Sequence, residues 1–469
     1  MNIDYDAAID KYRDVIVERI QSLVRIRSVE ETPEEGMPFG RGPYEALNYM
    51  LTAGTDLGFS VKNYDGYAGH IEYGENRGNG YIGVLVHVDV VPEGEGWTVP
   101  PYEGRRKDGR IYGRGAYDDK GACIAVLYAL KALKDSGYLP RRNIRIIIGA
   151  NEETGMRCIP YYLRREPEPE SAFSPDAPFP VIYGEKGIID LSFELHTVSS
   201  NEDATKAIIG GKSAKYVPAS CTARLKVESD KIDDALHILR RMEDQFRSQY
   251  SYDESQHELS VTILGKEAYG TEPEKGKNAI AGMMRFLGQL ENEECSLTPF
   301  IREFNRTIGT GSDGAGLGCD FKDAISTPLT FNAGSIEYTG GELRMKVHIR
   351  YPITANHEDI LEAIRNNFRV PGISIQTERH SAAHLVDRDS SLVQTLMRIY
   401  RNATGDSEAE PITMNGGTYA RTLRNAVAFG PLFPEEEQVA HSPDEYLNIN
   451  SILKAAKIYA EAMYILSDQ

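Results

Sequence analysis

The chain has 469 residues, a hydrophobic fraction of 41% and a formal net charge of −18. A chain of that length exceeds a single core, so two or three domains are expected, and the ordinary apolar content excludes a fibrous or disordered protein. The negative charge argues against nucleic acid and anionic membrane as partners, since both surfaces repel it.

In chain order, Met1–Arg13 is polar and contains acids, without the basic start and apolar run of a signal peptide. No window approaches the roughly 20 apolar residues of a membrane span. Tyr5–Leu23 and Gly40–Gly58 have the periodicity of amphipathic helices. Tyr81–Val91 (YIGVLVHVDVV) is a β-branched run suited to a strand covered on both faces. Gly121–Leu133 predicts a strongly apolar helix, and Asn143–Ala150 (NIRIIIGA) a second buried strand. Strands alternating with helices imply an α/β domain with a mostly parallel sheet. Near Pro178–Lys186 the texture changes to shorter alternating strands, Asp190–His196, Ala223–Glu228 and Glu342–Tyr351 among them. Long helical patterns return at Ser391–Ala403 and Ile452–Ile465. The expected organisation is a catalytic domain in two segments, 1–186 and 388–469, interrupted by an inserted α+β domain over 187–387. Cys123, Cys158, Cys221, Cys295 and Cys319 are odd in number and lack CxxC spacing, which fits reduced thiols in the cytoplasm.

Chemistry concentrates where strands end, which is where open α/β sheets form ligand sites. His87 and Asp89 close the first buried strand, and their spacing by two points both to one side. A carboxylate there suits the orientation of a metal-bound imidazole, although a structural His would look the same. Gly113-Arg114-Gly115-Ala116-Tyr117-Asp118-Asp119-Lys120-Gly121 precedes the apolar helix. One Asp could cap that helix, while the glycines suggest a backbone bent to aim a carboxylate. Asn151-Glu152-Glu153 leaves the second strand, and paired glutamates there need positive charge to compensate them. One could bind metal while the other takes a proton from water. With Asp176 and His441, these residues form an N/O donor set suited to zinc, cobalt or manganese.

Taken together, His87-Val88-Asp89, Gly96-Trp97, Asp118-Asp119-Lys120-Gly121 and Glu152-Glu153-Thr154-Gly155 resemble the M20 metallopeptidases. Ser174-Pro175-Asp176-Ala177, Arg350-Tyr351-Pro352, Gly416-Gly417-Thr418-Tyr419 and Ala440-His441-Ser442-Pro443 resemble its PepV-like dipeptidase branch. The resemblance implies two Zn2+, with Co2+ or Mn2+ able to substitute. Asp119 would bridge them, His87 and Asp176 would complete one site, and Glu153 and His441 the other. Glu152 would generate the bridging hydroxide, Asp89 would hold the His87 ring, and Arg350 would clamp the substrate's carboxylate. Gly416, Gly417 and Thr418 would line the substrate site. By the same resemblance the inserted α+β domain over 187–387 would be a lid over the substrate, a small peptide is the implied partner, and the length of the lid implies a monomer.

Two lid positions depart from the branch. Its lid His is replaced in Gly265-Lys266-Glu267-Ala268-Tyr269, and its lid Asn is missing from Lys215-Tyr216-Val217-Pro218. Tyr269 could supply the donor instead. Hydrolysis of a dipeptide therefore stands beside two other readings, removal of an acyl group from an amino acid and a non-catalytic metal- or peptide-binding role.

Overall fold

The computed structural model describes residues 3–75, 78, 80–197, 204–290 and 295–469. The chain divides into two compact units, Met1–Gly184 with Leu385–Gln469, and Glu185–His384.

The first unit is built on the apolar runs. Every residue of the Tyr81–His87 strand is buried, as its β-branched composition requires of a strand covered on both faces. It pairs in parallel with Asn143–Gly149 on one side and Ser171–Ser174 on the other. Ser171–Ser174 continues in parallel to Ala426–Ala428. Outside this parallel centre the sheet turns antiparallel, through Ala68–Tyr73 and Ser60–Tyr64. The sheet is thus mixed with a parallel core. Helices Ala122–Asp135 and Ile449–Asp468 bury most of their side chains in the same core. Burying an Ile, Val or Leu from water contributes about 1.5–3 kcal/mol each, which makes this core the main support of the strand ends.

Two sequence expectations change here. The helix over Tyr5–Leu23 is two helices, Tyr5–Asp10 and Arg13–Val24, separated at Lys11-Tyr12. The strand expected to reach Val91 stops at His87. Beyond it, the Val90 N–H donates to the Ser28 carbonyl (3.0 Å), so the apolar run continues as a buried loop.

The second unit is an antiparallel sheet ordered 247–253, 258–264, 220–226, 205–210, 330–339, 342–351, 187–196, 374–381. Glu342–Tyr351 shows its logic, with Leu343, Met345, Val347, Ile349 and Tyr351 facing the core. The intervening Arg344, Lys346, His348 and Arg350 take the opposite face, as the period of two demands. Helices Ile232–Met242, Ala279–Gln289, Thr298–Thr307 and His357–Asn367 complete the core. Among the described residues no helix is long and apolar enough to cross a membrane.

Candidate metal centre

Parallel strands end together at one edge of the first unit's sheet, and the polar residues gather there. His87 is the last residue of its strand and is 1% exposed. Asp176 follows the Ser171–Ser174 strand, and Glu152 and Glu153 follow Asn143–Gly149. His441 arrives from a distant loop with a left-handed backbone (φ 62°). The His87 Nε2 lies 2.9 Å from Asp118 Oδ1 and 3.6 Å from Asp176 Oδ2. The His441 Nε2 lies 3.1 Å from Asp118 Oδ2 and 3.0 Å from Glu153 Oε1. Two clusters result, His87–Asp118–Asp176 and Asp118–Glu153–His441, each with donor atoms within 4.8 Å of one another.

The residue the two clusters share is Asp118, where the sequence expectation named its neighbour Asp119. Asp118 interrupts the turn over Ala116–Gly121 with an extended backbone (φ −115°, ψ 95°), so the two neighbouring carboxylates leave it differently. Asp118 presents one oxygen to each imidazole. Asp119 turns inward, fully buried, and its Oδ2 accepts the His87 backbone N–H at 3.2 Å. Asp89 reaches the His87 ring through two of its groups. The nearer partner of His87 Nδ1 is the Asp89 carbonyl, at 3.0 Å, with the Asp89 carboxylate at 3.5 Å. That carboxylate accepts the Glu152 N–H at 2.9 Å and the Glu153 N–H at 3.1 Å, holding the turn that carries both glutamates.

Electrostatics tests whether these residues suit a cation. Burial pushes Asp119 and Asp176 well above the usual carboxylate range, and Glu152 up to about 8. Burial alone would lower His87, but hydrogen bonds to Asp118 and Asp89 raise it well above an ordinary imidazole. Against its own burial, Asp118 is held well below the carboxylate range by hydrogen bonds from His441 and His87. The nearby cation Lys120 is itself buried, with Nζ bonded to the Ile26 carbonyl (2.6 Å), and burial lowers it to about 7. The Glu152 Oε1 and Asp119 Oδ1 are buried without a hydrogen-bond partner. Carboxylates packed this densely lack compensating positive charge, which divalent cations would supply, so the donor set fits.

Sequence reasoning missed a pair that builds the centre. Arg114 and Glu445 are 2% and 0% exposed and form an ion pair at 2.6 Å. The other Glu445 oxygen accepts the Tyr117 and Asp118 N–H groups at 3.0 and 3.3 Å. The Arg114 Nη2 donates to the His441 carbonyl at 3.1 Å. The pair therefore ties the Asp118 turn to the His441 loop. Arg114 lies inside the glycine-rich motif before the apolar helix and Glu445 four residues after His441, but nothing local links them.

Gly416, Gly417 and Thr418 precede the short helix Tyr419–Thr422, and the Thr418 hydroxyl accepts the Ala420 N–H at 3.1 Å as its cap. In the second unit, Arg350 lies on the polar face of its strand, and its Nε donates to His348 Nε2 at 2.8 Å. Tyr269 is 42% exposed and pairs with Tyr216, their ring centroids 5.5 Å apart.

Residues 83–464 match peptidase family M20/M25/M40. The Bacillus subtilis (strain 168) protein named "Putative dipeptidase YtjP" is 37% identical over 99% of this chain and 100% of its own length. A Staphylococcus haemolyticus (strain JCSC1435) relative, "Putative dipeptidase SH1171", is 34% identical over 98% of each chain. Human carnosine dipeptidase 1 has the same fold, with a TM-score of 0.60 and 16% identity, over 99% of this chain and 98% of that one. The dipeptidase Dug1p of Saccharomyces cerevisiae also has a TM-score of 0.60, at 15% identity and the same coverage. With its site geometry and this match over most of its length, the chain belongs to peptidase family M20/M25/M40 and is an enzyme of that family.

Proposed function

We propose that this peptidase hydrolyses dipeptides, or small peptides with a free C-terminal carboxylate, using two divalent ions, zinc or else cobalt or manganese. The observation that carries the reading is the Asp118 carboxylate, with one oxygen toward His87 and the other toward His441, beside a buried Glu152 oxygen that has no partner. Asp118 would be shared by both ions, with His87 and Asp176 holding one, and Glu153 and His441 the other. Bound there, the ions would supply positive charge that polarises a carbonyl and acidifies water.

The chain's own groups do the rest. Glu152 takes the proton of the attacking water and returns it to the leaving nitrogen, a role suited to a buried carboxylate whose Oε1 has no hydrogen-bond partner. Arg350 pairs with the substrate carboxylate. The Tyr269 hydroxyl donates to the developing oxyanion. Gly416, Gly417 and Thr418, the residues that lead into the Tyr419–Thr422 helix, line the substrate site. The dipeptidase names of the relatives support this substrate class. A cytoplasmic location is the accompanying reading, supported by cysteines that are all buried and unbridged, and a monomer goes with the long inserted domain.

A second reading, removal of an acyl group from an amino acid, draws on the aromatic pair Tyr216–Tyr269. The deciding experiment measures initial rates on a dipeptide panel and on N-acyl amino acids, with zinc-, cobalt- and manganese-loaded protein and Glu152→Ala alongside. Metal-dependent dipeptide cleavage, lost in the variant, is expected. Cleavage of acyl amino acids alone would install the second reading, and no cleavage by fully loaded protein would remove both.

A further inference from the structure

Across the second unit's sheet, Asp190 and His348 are register partners on adjacent strands, and Asn332 faces His348 from the other side. All three share the polar face with Arg350. Elsewhere on this face, acid meets base directly, as in Arg344–Glu194 (2.7 Å) and Lys346–Glu378 (3.0 Å), both partly exposed. At Asp190 the pattern differs. The carboxylate bonds His348 Nδ1, and His348 Nε2 accepts from Arg350 Nε at 2.8 Å. His348 is 2% exposed, so the contact is built into the sheet and is not a solvated charge ladder.

The chemistry of the donors fixes the proton. A guanidinium only donates, so Nε2 must carry a lone pair and the ring proton must sit on Nδ1, facing Asp190. We propose that Asp190 and His348 are positioning residues, a buried relay that sets the plane of the Arg350 guanidinium and thereby the enzyme's preference for a free C-terminal carboxylate. This rests on the reading of Arg350 as the carboxylate clamp.

Three further observations agree. Burial and the charge of Arg350 lower His348, against the pull of Asp190, which keeps the imidazole in the neutral form the relay needs. The other charges acting on the relay are cations, Lys215 on His348 and Arg379 on Asp190. Asn332 Nδ2 donates to the Ala214 and Tyr216 carbonyls, both at 2.9 Å, so the same row of the sheet also holds the loop of Tyr216. A bidentate pair depends on the plane of the fork, and misplacing it by about 1 Å can cost on the order of 100-fold.

The test compares one dipeptide with its C-terminal amide as substrates of the metal-loaded enzyme. Arg350→Met should cut kcat/KM for the free acid roughly 100-fold more than for the amide, so the preference collapses. His348→Leu should lose about 10-fold or more of that preference, mostly through KM. His348→Gln, whose amide keeps one donor and one acceptor, should recover most of it. If His348→Leu does not fold, Asp190→Ala should show the same loss through an unanchored imidazole. A preference lost in Arg350→Met but intact in the His348 and Asp190 variants would overturn the relay alone. A preference intact in Arg350→Met would overturn the carboxylate reading, and the relay with it.

Discussion

Replacing Arg114 or Glu445 tests how the metal centre is assembled. Either single variant leaves its partner buried without its counterpart, at 2% or 0% exposure, and breaking such a pair costs about 3–5 kcal/mol. At about 3 °C per kcal/mol, Arg114→Met or Glu445→Gln should lower the melting temperature of the metal-free protein by roughly 10–15 °C. The double variant should lose less than the two singles summed, because neither charge is then stranded. Burial, outweighing Arg114, already pushes Glu445 up to about 7, so attraction does not fully offset the desolvation of the pair. Metal affinity should behave differently. The double variant still lacks the bonds from Glu445 to the Asp118 turn and from Arg114 to the His441 carbonyl. It should therefore bind zinc roughly 10–100-fold more weakly even where stability recovers. Thermal unfolding of metal-free protein and calorimetric zinc titration read the two effects separately. Strictly additive melting shifts, or unchanged zinc affinity in the double variant, would refute the account.

Asp118→Asn should abolish stoichiometric binding of two ions, whereas Asp119→Asn should retain them, as elemental analysis of dialysed protein would show. Tyr269→Phe should lower kcat more than it raises KM on a dipeptide, and an unchanged kcat would remove its hydroxyl from the reaction. His70 is 3% exposed, and burial with the charge of Arg145 lowers it from 6.5 to about 4. The unfolded chain therefore takes up this proton first, and stability falls as pH drops from 6.5 towards 4. The loss is on the order of 3 kcal/mol, at about 1.36 kcal/mol per unit. Denaturant titrations at both pH values should show a smaller loss in His70→Gln, and an equal loss would assign the acid sensitivity elsewhere.

Much of the donor set was legible because strand ends are local features. The apolar runs ending at His87 and Gly149 place His87, Glu152 and Glu153 by periodicity alone. Spacing could not choose between Asp118 and Asp119, because adjacent identical residues carry the same pattern and only the backbone conformation separates them. It put Asp89 beside His87, where its carboxylate lies 3.5 Å from Nδ1, but gave no sign of that carboxylate's shorter bonds to the backbone of residues 152 and 153.

The sequence by itself determined which surfaces are apolar, where strands and helices recur, and which ligand chemistry the clustered His and acidic residues can offer. Tertiary structure alone decided which charges meet. Arg114 finds Glu445 across 331 residues, and Asp190 finds His348 across 158. The period-two pattern of Glu342–Tyr351 announces a polar face, but the partner opposite each residue depends on strand order and register. Those follow from how whole strands pack to bury their apolar faces, and a one-residue slip would exchange the two faces.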